Sequence, residues 1–223
     1  NKTEHIVIEE GITGIGSEAF AGFVKVLSVN IPYTVKKIKR SSFENNYRLR
    51  EIQIPNEVNS IGDKAFAGCY GLKNLSLPSK LNYVGSFEFC RNIKSISLPD
   101  SIKDTADGMF TGCEMLTSVK LPRKLKAIKA YDFADCRKLT KLNIPVTVKV
   151  VYMSAFAGSG LKKIVLPSNV QKIRNGNDGQ KVFEYIKGVG YPTKNLRVIE
   201  IHSKKVKSIQ KNSFSGLSSK VVI

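Results

Sequence analysis

Apolar residues recur along this chain in short alternating runs, each closed by a proline. Examples are Ile52-Gln-Ile54-Pro55, Leu75-Ser-Leu77-Pro78, Ile96-Ser-Leu98-Pro99, Val119-Lys-Leu121-Pro122 and Leu142-Asn-Ile144-Pro145. Alternation at period two predicts strands with one buried face. Proline lacks the N–H that a continuing ladder needs, so each strand stops at the same point. A second pair of aliphatics follows each proline, as in Val35 and Ile38, Val58 and Ile61, Leu81 and Val84, or Leu125 and Ile128. From there to a phenylalanine the chain carries Gly62, Gly68, Gly85, Gly112 and Gly158. That stretch predicts a tight turn and a short, irregular or strand-like return. A unit this short, already holding a strand and two turns, has no room for a long helix.

Three residue types keep the same period. Of eight prolines, seven fall in one column: Pro32, Pro55, Pro78, Pro99, Pro122, Pro145 and Pro167, spaced 23, 23, 21, 23, 23 and 22 residues apart. Eight of eleven phenylalanines fall in a second: Phe20, Phe43, Phe66, Phe89, Phe110, Phe133, Phe156 and Phe214. All four cysteines, Cys69, Cys90, Cys113 and Cys136, follow a column phenylalanine by one or three residues. One such unit cannot bury its apolar side alone, and stacking buries a continuous core. The expected architecture is a repeat solenoid, mostly β with short turns, formed by residues 1–223 as a single array of about nine coils.

Two regions depart from the unit. The coil at 164–198 is irregular and carries an insertion, Arg174 to Asn195, rich in glycine and asparagine, with Phe183, Tyr185 and Tyr191. Phe183 fits a longer route into the aromatic column. Tyr185 and Tyr191 form a candidate binding loop, because aromatic side chains on a rigid scaffold make good contacts. In the last coil His202 stands where the prolines stood, followed by Val206, Ile209 and Phe214.

Charge changes the picture most. The 223 residues include 36 Lys and Arg against 18 Asp and Glu, a formal net charge of +18. Such a chain associates with polyanions, or is simply soluble and lysine-rich. The outward positions of the strand runs carry Arg50, Lys73, Lys94, Lys120, Lys141, Lys162, Lys163 and Arg197, against Glu51 and Glu200. Stacked strands merge these into one mostly basic face, the candidate binding surface. A second basic stripe follows the prolines: Lys36, Lys103, Lys126, Lys149 and Lys207. Like charges about 5 Å apart in water repel by roughly 0.8 kcal/mol before screening, which an anionic partner relieves.

Other chemistry is thin. His5 and His202 lie at opposite ends, and no spacing supports a nucleophile–histidine pair or a metal cluster. The expectation is no enzyme, no cofactor and no metal. The run Asn175 to Asp178 lacks the alternating ligands and terminal glutamate of a calcium loop. The cysteines have no Cys-x-x-Cys spacing, and buried free thiols are expected. No run of 18 apolar residues predicts a membrane span. The chain begins at Asn1 without a leader, which points to a mature chain or a fragment.

The unit Leu72-x-x-Leu75-x-Leu77 is the leucine-rich-repeat strand signature without its usual asparagine. With Leu-Pro, a following Val or Leu, and Ile61-Gly62-Asp-Lys-Ala65-Phe66-Ala-Gly68-Cys69, it closely resembles the BspA-type leucine-rich repeats of bacterial surface proteins. The resemblance covers essentially the whole chain. Insertion 174–195 departs from it, as does Thr105-Ala106 where Ile-Gly is expected. It implies a curved, right-handed coil with a parallel sheet on one face, export to the cell surface, and no enzymatic residues. It also implies adhesion to a host or neighbouring-cell surface protein; the basic face adds an acidic glycan as a candidate partner. A spacer in a larger surface protein is the alternative. Nucleic acid fits less well, because no aromatic stacking platform accompanies the basic residues.

Overall fold

The computed structural model describes residues 3–174 and 196–209. Phe183, Tyr185, Tyr191, the run Asn175 to Asp178 and Phe214 lie outside the described residues. The described residues form a parallel-strand solenoid of about seven turns with almost no helix. A 3-10 turn at Met153–Phe156 is the one helical element among them.

Two ladders run along the solenoid, where the sequence reading places a sheet on one side. The face ladder is built from the alternating runs. His5–Val7, Ser28–Asn30 and Glu51–Gln53 pair in parallel, coil on coil. Ser95–Ser97 pairs with Ser118–Lys120, and Lys163–Leu166 with Val198–Ile201. The flank ladder is built from the return after each proline. Gly14–Ile15, Lys37–Ile38, Ser60–Ile61 and Tyr83–Val84 form one sheet. Ala127–Ile128, Val150–Tyr152, Lys172–Arg174 and Ser208–Ile209 form another. The gap between them is the coil where Thr105-Ala106 replaces Ile-Gly.

Proline shapes each corner. It ends the face strand, and its carbonyl then accepts the N–H of the residue three positions on. Val35, Val58, Leu81, Ile102, Leu125, Val148 and Val170 donate to Pro32, Pro55, Pro78, Pro99, Pro122, Pro145 and Pro167 at 3.0–3.3 Å. Each donor is a core residue, at most 2% exposed. The turn therefore carries an aliphatic side chain inward as it re-aims the backbone.

Phenylalanines form the spine of the core. Phe20, Phe43, Phe66, Phe87, Phe110, Phe133 and Phe156 stack in order, with centroids 5.4–6.4 Å apart and planes within 25°. Such offset stacks are worth about 0.5–1.5 kcal/mol beyond burial. The member from the third regular coil is Phe87, not Phe89 as the 23-residue spacing predicts. That coil is two residues short between its proline and its phenylalanine: Pro78 to Phe87 is nine positions, whereas Pro55 to Phe66 is eleven. Phe89 instead has φ 58° and is half-buried. Gly22, Gly68, Gly112 and Gly158 hold the same place, two residues after the stacked ring, also with positive φ.

With that correction every cysteine lies three residues after a stacked phenylalanine. All four are free and buried. Each thiol donates to a phenylalanine carbonyl one coil back: Cys69 to Phe43, Cys90 to Phe66, Cys113 to Phe87 and Cys136 to Phe110, at 3.0–3.2 Å. Asn46 takes the equivalent place and accepts the Phe23 N–H at 2.8 Å.

Candidate binding surfaces

Of the eight basic residues singled out from the sequence, Lys120 and Lys163 lie in face-ladder strands and the other six on the runs that carry them, and all eight are exposed. They do not share one column. Arg50, Lys73, Lys94, Lys162 and Arg197 stand five residues before the proline position, Lys141 and Lys163 four before, and Lys120 two before. The backbone brings some together. Lys94 N–H donates to the Lys73 carbonyl at 3.3 Å, and Arg197 N–H to Lys162 at 2.8 Å. Between these pairs the same column holds Thr117 and Thr140.

One unbroken sheet face is therefore corrected to separate pieces. The coil of Lys73 joins its neighbour through the single bridge Asn74 to Ser95, and Lys141 lies outside any strand. Prolines end the strands so early that a coil whose pairing weakens falls below a two-residue ladder. Basic residues cluster at Arg50, Lys73 and Lys94 and again at Lys162, Lys163 and Arg197. Among the described residues the first cluster has no ion-pair partner. In the second, Lys163 Nζ lies 2.7 Å from Glu200, whose other oxygen is 3.3 Å from His202 Nε2. The hydrogen bond from Lys163 holds the Glu200 carboxyl below its ordinary range.

Beside the first cluster lies a shallow depression of about 580 Å³, lined by Ser28, Asn30, Arg50, Glu51, Gln53 and Lys73 among others. Its floor is Val29 and Ile52. It mixes donors, acceptors and both charges, with two cations against one carboxylate.

Two further surfaces were not legible from residue types. The residues after the cysteine column form a chain of contacts across five coils. Tyr47 stacks on Tyr70 at 4.8 Å, and the Arg91 guanidinium lies 4.8 Å from the Tyr70 ring centroid. Arg91 reaches Glu114 at 3.5 Å, and Glu114 reaches Arg137 at 3.7 Å. Each group is occupied by its neighbour. The signal was present in the repeat register, one residue after each cysteine.

The other surface is a recess of about 510 Å³ at the break in the flank ladder, lined by Arg40, Asp63, Lys64, Tyr83, Glu88 and Lys129 among others. Lys129 Nζ lies 3.1 Å from Asp104 and 3.7 Å from Asp107, and donates to the Thr105 carbonyl at 2.5 Å. Lys64 faces Glu88 at 3.8 Å, and the Tyr83 hydroxyl donates to Asp63. Burial raises Glu88, and burial with the Asp63 bond pushes Tyr83 above the usual phenol range. Beneath the recess Asp132 is buried, accepting backbone N–H groups from Lys129 at 2.7 Å and Met109 at 3.3 Å. Burial pushes its carboxyl up to about 8.

Among the described residues no group of three or more His, Cys, Asp or Glu is placed to hold a metal. His5 Nδ1 lies 2.8 Å from the Ser28 hydroxyl in the neighbouring coil, an exposed pair. No described helix is long and apolar enough to cross a membrane.

Repeat period, coil-on-coil strands and proline corners define a leucine-rich-repeat solenoid. The chain belongs to the BspA type leucine-rich repeat family, whose model matches residues 1–89 and 84–189 in six copies. It is similar to a solved leucine-rich repeat protein from Bacteroides ovatus, with 28% identity and a TM-score of 0.66 over 96% of this chain and 62% of that one. The leucine-rich repeat protein of T. pallidum shows 29% identity and a TM-score of 0.66 over 71% of this chain and 77% of its own. A leucine rich cell surface protein from Faecalibacterium prausnitzii shares the fold at 20% identity, with a TM-score of 0.56 over 99% of this chain and 64% of that chain. The chain thus spans less than two thirds of the Bacteroides ovatus protein. No match is found among curated proteins.

Proposed function

We propose that this chain is a non-enzymatic contact module of an exported surface protein, and that it recognises a protein partner through the face ladder. The observation that carries this is the cluster of Arg50, Lys73 and Lys94, exposed without ion-pair partners among the described residues, of which Arg50 and Lys73 line the depression together with Asn30, Glu51 and Gln53. A shallow site with both donors and acceptors suits carboxylates and amides of a folded partner, with charge setting the encounter rate. The backbone ladder and aromatic core hold these side chains on a rigid base, so little ordering is required on binding. Family membership supports a surface location.

Binding of the fluorescent chain to immobilised extracellular-matrix proteins and to epithelial cell layers tests the reading. Arg50→Glu/Lys73→Glu/Lys94→Glu is expected to lower apparent affinity about tenfold or more, with most of the wild-type salt dependence lost. Unchanged binding by that variant, with an unchanged melt, would move the contact surface elsewhere. No binding by the parent chain to any surface would favour a spacer.

A further inference from the structure

The sheet formed by Ala127–Ile128, Val150–Tyr152, Lys172–Arg174 and Ser208–Ile209 has a chemistry the face ladder lacks. Lys126, Lys149, Gln171 and Lys207 occupy the position just before each of these strands. Their backbones are locked in sequence: Lys149 N–H donates to Lys126, Gln171 to Lys149 and Lys207 to Gln171, at 2.8–2.9 Å. The coil that places Gln171 in this column supplies Lys172 one residue on, registered with Val150 and Ser208. Lys126, Lys149, Lys172 and Lys207 are all exposed, and none has an ion-pair partner among the described residues. The segments 123–131, 146–152, 168–174 and 203–209 contain no Asp or Glu. Lys124 and Lys204 extend the tract toward the proline corners.

The other half of the flank differs. Its equivalent column reads Thr13, Lys36, Asn59 and Asn82. Asp104 and Asp107 then close it at the ladder break, where they engage Lys129. Lys103, exposed, stands in the column between Asn82 and Lys126, and these two carboxylates bound the cationic tract just beyond it.

We propose that this tract binds a linear, densely sulfated polysaccharide laid along the solenoid axis. Coils in a parallel ladder repeat about every 4.8 Å, so the tract is a straight row spanning about 14 Å from Lys126 to Lys207. The ladder bonds hold the cations together despite their repulsion, which a polyanion removes. A small anion engages one or two of them, whereas a polymer with a strong-acid group on most sugars engages the row. Nucleic acid lacks a stacking platform here: the aromatic residue of this sheet, Tyr152, lies under the Arg174 guanidinium at 5.8 Å. A bilayer engages a broad face with apolar insertion, whereas beside this narrow row two large apolar residues, Val146 and Ile209, are exposed among the described residues, at separate coils. The proposal does not rest on the face-ladder reading.

Heparin-derived oligosaccharides titrated into the full chain at near-physiological salt test it. Lys126→Glu/Lys149→Glu/Lys207→Glu is expected to weaken binding about tenfold or more. The corresponding Gln triple, which keeps the fold even where charge reversal does not, is expected to lower the slope of log K against log salt by about 2–3. Arg50→Glu/Lys73→Glu/Lys94→Glu is expected to stay within about twofold of the parent, which separates this site from the face. Hyaluronan, with one carboxylate per two sugars, is expected to bind far more weakly. The proposal is overturned if the flank Gln triple matches the parent, if the face variant loses as much, or if hyaluronan binds equally. Tighter binding of single-stranded DNA or of anionic vesicles than of heparin at the same salt overturns it as well.

Discussion

Phe66 and Phe87 stack with ring centroids 6.4 Å apart and only 6° between their planes, although the coil joining them is two residues shorter than its neighbours. The shortened corner is absorbed before the aromatic position, so the stack continues unbroken to Phe110 at 5.9 Å. Phe87 is 1% exposed, while Phe89 sits on the rim in a left-handed conformation. Phe87→Ala is therefore expected to destabilise by about 3–5 kcal/mol, as a cavity in a packed stack does. Phe89→Gly is expected to change stability by less than about 1 kcal/mol, because lost ring contact is offset by relief of the positive φ. Urea melts of the two variants decide it; equal losses would mean that both rings are core.

Asp132 makes stability depend on pH in the direction opposite to most carboxylates. Its folded pKa is raised to about 8, first by burial and then by Asp107, against the opposing backbone donors and Lys129. An unfolded Asp titrates near ~3.9. The stability this group contributes is fully present below that value. It is lost progressively as pH rises through about 8, because the fold penalises the carboxylate. Asp132→Asn fixes the neutral form. Denaturant midpoints measured from acid to mildly alkaline pH should fall more steeply for the parent than for the variant, with a difference of at least ~1 kcal/mol at the alkaline end. Parallel curves would show that the carboxyl titrates as an exposed group.

How far the sequence foretold this depends on what repetition can reveal. The prolines and alternating aliphatics were legible because seven coils repeat them, and their geometry is local: a ring that ends a strand and a carbonyl that closes a turn. The core stack followed, except where Phe87-Glu-Phe89 offered two rings and the usual spacing favoured the wrong one. Asp132 was not legible. In register it stands where Ser42, Ala65, Ser86, Met109 and Ala155 stand, and nothing in its own identity marks a buried carboxyl. The basic residues were found, but not their grouping. Register bonds decide whether Lys73 meets Lys94, and side-chain reach decides that Glu200 covers Lys163.

The cysteine column is chemically silent in the folded state. Burial pushes Cys90 up to about 12 and raises Cys69, Cys113 and Cys136 well above the ordinary thiol range. The thiolate is the reactive form. Iodoacetamide at mildly alkaline pH is expected to leave the native chain unlabelled and to modify all four cysteines in denaturant. Cys113→Ala, which removes the thiol from its contact with the Phe87 carbonyl, is expected to cost about 1–2 kcal/mol. Rapid labelling of the native protein would show that the coils separate on the timescale of the reaction.

Glu200 sets the charge of the C-terminal end of the face. It neutralises Lys163 and leaves Lys162 and Arg197 beside it. Its pKa is lowered mainly by the Lys163 hydrogen bond, so its contribution to stability is present above the unfolded carboxyl value and lost as pH falls through the lowered one. The pair is solvent-exposed, and breaking it should leave the melting temperature within experimental scatter. Removing the carboxylate completes a local group of three cations. Glu200→Gln is accordingly expected to elute from a cation-exchange resin at higher salt than Glu9→Gln, which changes net charge equally at the opposite end of the solenoid. Identical shifts for the two variants would show that net charge, rather than the grouping of Lys162, Lys163 and Arg197, governs how this face meets an anionic surface.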